Sequence, residues 1–483
     1  MQKIKKFLFH NTSTKQTFMK NTFWLFTGEA LSRLLKMILI IYAARILGVS
    51  GWGTFSYALS VASLLMIFSD IGLSSLITRE IIQKKEDHEA FISTAVFIKN
   101  IILIISIVLV IIFSPIISDI PEAKILFPII ALMFVFDTFR ELFFSMNRAS
   151  EKMEREMIVK TLMGAVIAVL GIVLLKITPE PKSIAITYVI GSGLGCLLIL
   201  SMIKKDIRRF FIKTDKKLLK TVIQTAWPFA IITLIGSIMG NTDIYMLGMW
   251  KNAEEIGLYS SVQRIHQFIL IIPAMIATAS FPLISRLAQT DRGQFRTILE
   301  RTLVLIFIVG IPVSVGGIML GKTIIPLVLG TQYIAAVPIF QVLMIMLIAS
   351  FPLILLSNAI FAVNKQKSIA IAYICAILVN VILNILLIPK LGAVGSAIAT
   401  CASTTMVTAI LWIKMRRIQY FTIVSRLGKC VVSTIVMALV IFISKYFNIN
   451  IFIIILSSIG VYFSMLFALK EHVVFEILKS FKK

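Results

Sequence analysis

At 483 residues and 58% hydrophobic, this chain is more apolar than soluble globular domains. Its mean hydropathy of +0.97 argues against a cytosolic enzyme or a secreted scaffold. A net charge of +25 would suit a nucleic-acid binder only if it formed one patch, and here the basic residues are spread between apolar stretches. The four cysteines, Cys196, Cys375, Cys401 and Cys430, have no CxxC spacing and no histidine partners, so neither a disulfide framework nor a zinc site is expected.

A membrane-spanning helix needs about 20 mostly apolar residues. Fourteen such stretches follow one another: 22–47, 53–77, 91–113, 124–147, 158–176, 183–203, 222–249, 256–282, 298–320, 334–362, 368–388, 393–413, 427–446 and 449–469. The polar tail before Phe23 lacks the short apolar core and small-residue cleavage site of a leader, so the first stretch is expected to be a retained span. That stretch carries Glu29, Arg33 and Lys36 at i, i+4 and i+7, on one helix face, with Arg45 near its outer end. The second carries Asp70 near its cytoplasmic end. The fourth carries Asp137, Arg140 and Glu141, a spacing that suits an internal structural network. The seventh carries Asp243, and the eighth carries Arg264, His266 and Gln267. A charge near a bilayer centre costs about 2.5–3.5 kcal/mol on insertion scales. Such residues therefore line a wet cavity or pair inside the bundle, and they are the candidate functional residues. Pro273, Pro312 and Pro352 lie within stretches, where kinks are expected.

The connections set the orientation. Of 48 Lys and Arg, 35 fall in or at the edges of the tails and even-numbered connections and seven in or at the edges of the odd-numbered ones. This asymmetry places both termini in the cytoplasm and requires an even number of spans. It also accounts for the basic charge without nucleic acid, leaving anionic membrane lipids as its partners. The longest connection, 204–220, is basic and separates the sixth stretch from the seventh. Gly53-x-Phe55-Ser56 after the first stretch matches Gly257-x-Tyr259-Ser260 after the seventh. Asn147-Arg148 matches Asn364-Lys365, and Ser183-Ile184-Ala185-Ile186 matches Ser396-Ala397-Ile398-Ala399. An offset of six spans gives both copies the same orientation. The expected fold is an all-α membrane protein with about 14 transmembrane helices, built as two parallel six-helix repeats plus two C-terminal helices. The expected division is an N-terminal lobe at 1–203, a cytoplasmic linker at 204–220, a C-terminal lobe at 221–425, and two extra helices with a tail at 426–483.

Arg33 and Lys36 come from the first helix of one repeat and Arg264 from the second helix of the other. Facing lobes would bring these cations to one cavity, where a phosphate-bearing anion suits them. Arg45 and Gln267 are further candidates for the same substrate. Glu29, Asp70, Asp243 and His266 are candidates for ion coupling. Gly316 to Thr323 matches the G-x-x-x-x-G-K-[ST] phosphate-loop pattern, but it ends an apolar span instead of following a strand, so no nucleotide is expected. No hydrolase or metalloprotease motif is present, and the chain is not expected to be an enzyme or to carry a cofactor or metal.

Three stretches resemble the polysaccharide-biosynthesis flippase family, within the superfamily that includes multidrug exporters and the peptidoglycan-precursor flippase. They are Ala44-Arg45-Ile46-Leu47-Gly48 with Gly51-x-Gly53-x-Phe55; Phe68-Ser69-Asp70-Ile71-Gly72 to Glu80; and Gly257-Leu258-Tyr259 to Arg264, followed by Pro273 and Phe281-Pro282-Leu283-Ile284-Ser285-Arg286. The resemblance implies movement of an undecaprenyl-type diphosphate-linked oligosaccharide to the outer leaflet of the cell membrane by alternating access. A proton or sodium gradient would drive it. The resemblance further implies Arg33 and Arg264 as diphosphate ligands and a lipid-tail groove at the last two helices. A monomer is expected, with polysaccharide polymerase machinery as a candidate associate. The alternatives are a multidrug or cation exporter of the same fold and a peptidoglycan lipid-precursor flippase.

Overall fold

The computed structural model describes residues 14–70, 72–83, 88–118, 120–207 and 214–471. Within the expected linker, Arg208, Arg209 and Lys213 lie outside the described residues, as do the tails 1–13 and 472–483. Among the described residues, the regular structure is helical throughout.

Every expected stretch is occupied by helix, but the boundaries depart from the sequence reading in three ways. The first and much of the second stretch form one element, α1 (Thr14–Leu65), bent at Gly48, whose φ of 70° is a conformation glycine adopts without strain. The eleventh and twelfth likewise share Gln366–Ile418, bent at Gly392 with φ 57°. The second stretch does not run on to its end: it tightens into a 3-10 turn at Met66–Ser69 and restarts as α2 (Leu73–Gln83). The eighth is two helices, Ala253–Ile269 and Ile271–Thr290. Pro273, which has no N–H to give, stands in the first turn of the second of these. Pro312 and Pro352 lie inside continuous helices.

The chain divides into two compact units, Met1–Gly257 and Leu258–Lys483. The first contains α1, α2, α3 (His88–Ile117), the short α4 (Pro121–Lys124), α5 (Leu126–Ala149), α6 (Met153–Ile177), α7 (Pro181–Ile207) and α8 (Leu219–Trp250). Small residues let α1 and α6 approach closely. A Cβ on Gly28 would lie 2.7 Å from the Met157 Cα, and one on Gly171 would lie 2.4 Å from the Leu39 side chain. The second unit contains α9 (Ala253–Ile269) from Leu258 onward, α10 (Ile271–Thr290), α11 (Arg292–Leu329), α12 (Val337–Ala362), α13 (Gln366–Ile418), α14 (Val424–Tyr446) and α15 (Ile451–Ala468). Among the described residues, ten helical segments are long and apolar enough to cross a membrane, α9 and α10 counting together as one of them.

Candidate functional site

The α1–α6 crossing brings charges 131 residues apart in sequence to pairing distance. Glu29 receives Arg33 Nε on Oε1 at 2.7 Å, one turn along α1, and Lys160 Nζ of α6 on Oε2 at 3.1 Å. Lys160 also reaches Glu156 Oε1 at 3.0 Å. Glu156 is fully buried and is held by a two-pronged Arg148, with Nε to Oε2 at 2.9 Å and Nη2 to Oε1 at 2.7 Å. Arg148 Nη1 donates to Glu141 at 2.8 Å. The result is one chain of ion pairs, Arg33–Glu29–Lys160–Glu156–Arg148–Glu141, running through α1, α6 and α5.

Beside it Arg140 pairs with Asp137 on α5. Arg140 and Lys160 both lie over the Phe144 ring, 5.9 and 5.8 Å from its centroid. Of the expected network on α5, therefore, Asp137 and Arg140 pair with each other and Glu141 turns to Arg148. Lys36 lies about 10 Å further along α1 than Glu29 at 1.5 Å per residue. It feels the charges of Arg140, Asp137, Glu29 and Lys160. Among the described residues it makes no hydrogen bond or ion pair of its own. The group thus holds five cations (Arg33, Lys36, Arg140, Arg148, Lys160) against four carboxylates (Glu29, Asp137, Glu141, Glu156).

Asp70 sits at the break between the 3-10 turn and α2. It accepts from Ser74 N at 3.2 Å and Ser74 Oγ at 2.8 Å, which caps α2. Lys99 of α3 donates to Asp70 at 2.5 Å and to Ser74 Oγ at 2.6 Å. Asp243 of α8 is buried, and Arg45 is exposed on α1.

In the second unit Arg264 Nη1 donates to Gln267 Oε1 at 3.3 Å on α9. His266 is buried, and its Nε2 has no hydrogen-bond partner among the described residues. The same helix borders an apolar cavity of about 420 Å³, lined among others by Ile265, Ile269, Val313, Gly316, Ile441 and Tyr462. A buried polar seam lies elsewhere in this unit. Asn384 Nδ2 donates to Asn380 Oδ1 at 3.1 Å, Asn380 Nδ2 to Thr400 Oγ1 at 3.3 Å, and the Tyr259 hydroxyl lies 3.4 Å from Thr400 Oγ1.

The phosphate-loop pattern at Gly316–Thr323 falls inside the continuous α11, whose own ladder engages the amides that a phosphate would need. No group of three or more His, Cys, Asp or Glu suited to a metal occurs among the described residues. Three residues of the site escape a reading of the sequence: Arg148, Glu156 and Lys160. The i,i+4 spacing of Glu156 and Lys160 was the available signal, but beside a basic turn it reads as a surface pair.

The family model for "Polysaccharide biosynthesis protein" matches residues 18–288, and that for MatE matches residues 228–386. The chain is 22% identical over 456 residues to "Probable low-salt glycan biosynthesis flippase Agl15" of Haloferax volcanii, covering 92% of this chain and 93% of that one. It is 29% identical over 208 residues to "Probable flippase AglR" of the same organism; that match spans 41% of this chain and only 43% of AglR. Among solved structures, "Lipid II flippase MurJ, inward closed conformation" superposes with a TM-score of 0.77 at 20% identity, covering 91% of this chain and 96% of that one. The chain is a multi-pass membrane protein with this helical fold.

Proposed function

Because this chain belongs to the polysaccharide biosynthesis protein family, we propose that it is a flippase for cell-surface glycan assembly. Its cargo is an oligosaccharide on a polyprenyl diphosphate, moved from the cytoplasmic to the outer leaflet by alternating access. The observation that carries this reading is the charge group of the first unit. Lys36 stands without an ion-pair partner among the described residues in a spanning helix, in a cluster where cations outnumber carboxylates by five to four. Left alone, such a charge is costly in a membrane, and an anionic headgroup compensates it.

Arg33, Lys36 and Arg264 are the proposed diphosphate ligands, with Arg45 and Gln267 as further polar contacts. The largely apolar cavity of about 420 Å³ beside α14 and α15 takes part of the isoprenoid tail. A proton or sodium gradient drives the cycle, with Glu29, Asp70, Asp243 and His266 as the ion-coupling candidates. Both termini face the cytoplasm. An exporter of cationic drugs needs a carboxylate-dominated site, and the excess here is of the opposite sign.

The test is flipping of a fluorescent polyprenyl-diphosphate oligosaccharide in vesicles. Arg33→Ala and Arg264→Ala are expected to abolish flipping while the protein still inserts. Arg33→Lys is expected to rescue only in part, because an ammonium does not reproduce the planar guanidinium fork. Full activity in both alanine variants overturns the proposal.

A further inference from the structure

We propose that Glu29 is an internal stand-in for the substrate's phosphate and that Lys160 is a further phosphate ligand. In this scheme the Glu29 carboxylate occupies Arg33 and Lys160 until a phosphate of the lipid carrier takes its place, and it reclaims them when the headgroup leaves. The inference rests on the diphosphate reading above and deepens it.

The two carboxylates that share Lys160 are built differently. Glu156 is 0% exposed and is gripped by the Arg148 fork as well as by Lys160. That is an anchor: removing it would strand cations in the interior. The Glu29 side chain is 43% exposed and that of its partner Arg33 is 49% exposed. An open ion pair on a spanning helix must border water, because facing lipid would cost several kcal/mol. Glu29 is therefore within reach of a ligand and Glu156 is not.

The geometry at Glu29 is also that of a phosphate contact. Each of its oxygens holds a separate cation, Arg33 Nε at 2.7 Å and Lys160 Nζ at 3.1 Å. Two oxygens of a phosphate can take the same two donors, and a diphosphate brings at least two negative charges where the carboxylate brings one. Exchange strands neither cation in a wet site: Arg33 and Lys160 turn to the phosphate, and Lys160 keeps Glu156 at 3.0 Å throughout. Lys36 then lies on the same face of α1, two turns deeper, with no carboxylate bound to it among the described residues. A headgroup that has displaced Glu29 meets this next positive charge further into the membrane. Glu29 thus sets the affinity of the first contact, and by competing for the cations it keeps the headgroup from binding too tightly to leave.

The experiment is titration of the full-length protein in phosphatidylcholine nanodiscs with farnesyl diphosphate, followed calorimetrically, with inorganic pyrophosphate as a second probe. Glu29→Gln is expected to bind farnesyl diphosphate about tenfold more tightly, and Lys160→Gln about tenfold more weakly, the scale of one charge-assisted hydrogen bond. The Glu29→Gln/Lys160→Gln double variant should return toward the wild-type value. Tight-binding Glu29→Gln is expected to flip substrate more slowly. If Glu29→Gln does not fold, Glu29→Asp, one methylene shorter and unable to span both cations, is expected to tighten binding in the same direction. Pyrophosphate should show the same ranking, because the contacts are to phosphate.

Binding that is unchanged or weaker in the Glu29 variants overturns the stand-in. If Lys36→Gln still weakens binding in that case, the diphosphate reading survives alone. A wild-type protein that binds neither probe overturns both. Loss of farnesyl diphosphate binding when the nanodisc contains phosphatidylglycerol would make an ordinary phospholipid headgroup the occupant and overturn the assignment to the lipid carrier.

Discussion

The Asp70–Lys99 pair gives the sharpest stability test of the first unit. Lys99 is 2% exposed and its Nζ lies 2.5 Å from Asp70, which is itself 30% exposed. Among the described residues, Lys99→Met leaves the Asp70 carboxylate with its Ser74 bonds at 3.2 and 2.8 Å. Breaking a buried pair by removing one partner costs about 3–5 kcal/mol, and partial exposure puts this variant at the low end, about 3 kcal/mol. Asp70→Asn keeps an oxygen to cap α2 but strands the ammonium of a side chain with almost no access to water, so its cost belongs near the upper end, about 4–5 kcal/mol. The Lys99→Met/Asp70→Asn double variant removes both charges and is expected to lose about 1 kcal/mol or less, because replacing both members of a buried pair is often close to neutral. Thermal unfolding in nanodiscs reads these differences. At about 2–4 °C per kcal/mol for a unit of this size, Lys99→Met should lower the midpoint by about 6–12 °C and the double variant should recover most of it. If the single losses simply add in the double variant, the two groups do not interact and the reasoning fails. Flipping by the double variant then separates two roles for Asp70: wild-type transport assigns it to structure, and a stable but inactive protein assigns it to ion coupling.

Other expected outcomes follow from local geometry. Gly316 borders the apolar cavity and a Cβ there meets nothing within 4 Å, whereas one on Gly317 would lie 2.7 Å from the Met344 side chain. Gly316→Leu should therefore keep or raise the unfolding midpoint, since replacing a mid-helix glycine gains about 0.5–1 kcal/mol, while reducing flipping of long-tailed substrates; Gly317→Leu should destabilise. A Cβ on Gly53 would lie 1.7 Å from the Ala253 carbonyl oxygen, so Gly53→Val is expected to abolish correct folding, as read by protease resistance in membranes. Arg148→Gln leaves buried Glu156 with Lys160 as its remaining cation among the ion pairs of the site and should cost about 3 kcal/mol or more in a denaturant titration. Tyr462 donates to the Ile308 carbonyl at 2.7 Å and lies 3.2 Å from Cys430 Sγ, so Tyr462→Phe should cost about 1 kcal/mol by the same measure.

The amino-acid sequence by itself determined the spans, because a run of apolar residues long enough to cross a bilayer is a local property that packing need not assist. It also singled out Glu29, Arg33 and Lys36 as residues that must avoid lipid, since helical spacing alone puts them on one face. The bends escaped it in part. Gly48 and Gly392 fall between expected stretches, but the restart of the second span at Leu73 depends on the 3-10 turn before it and on the Asp70 cap. What only the tertiary structure decided is which charges meet. Glu29 and Lys160 are 131 positions apart, and Asp70 and Lys99 are 29 apart. No periodicity links such residues. Their pairing is set where the small side chains of α1 and α6 let two backbones close in, and in the case of α2 and α3 where a broken helix turns its capping carboxylate toward a neighbour's lysine. An ion pair acts over a few ångströms, so its partner is chosen by the packing of helices and not by the order of residues along the chain.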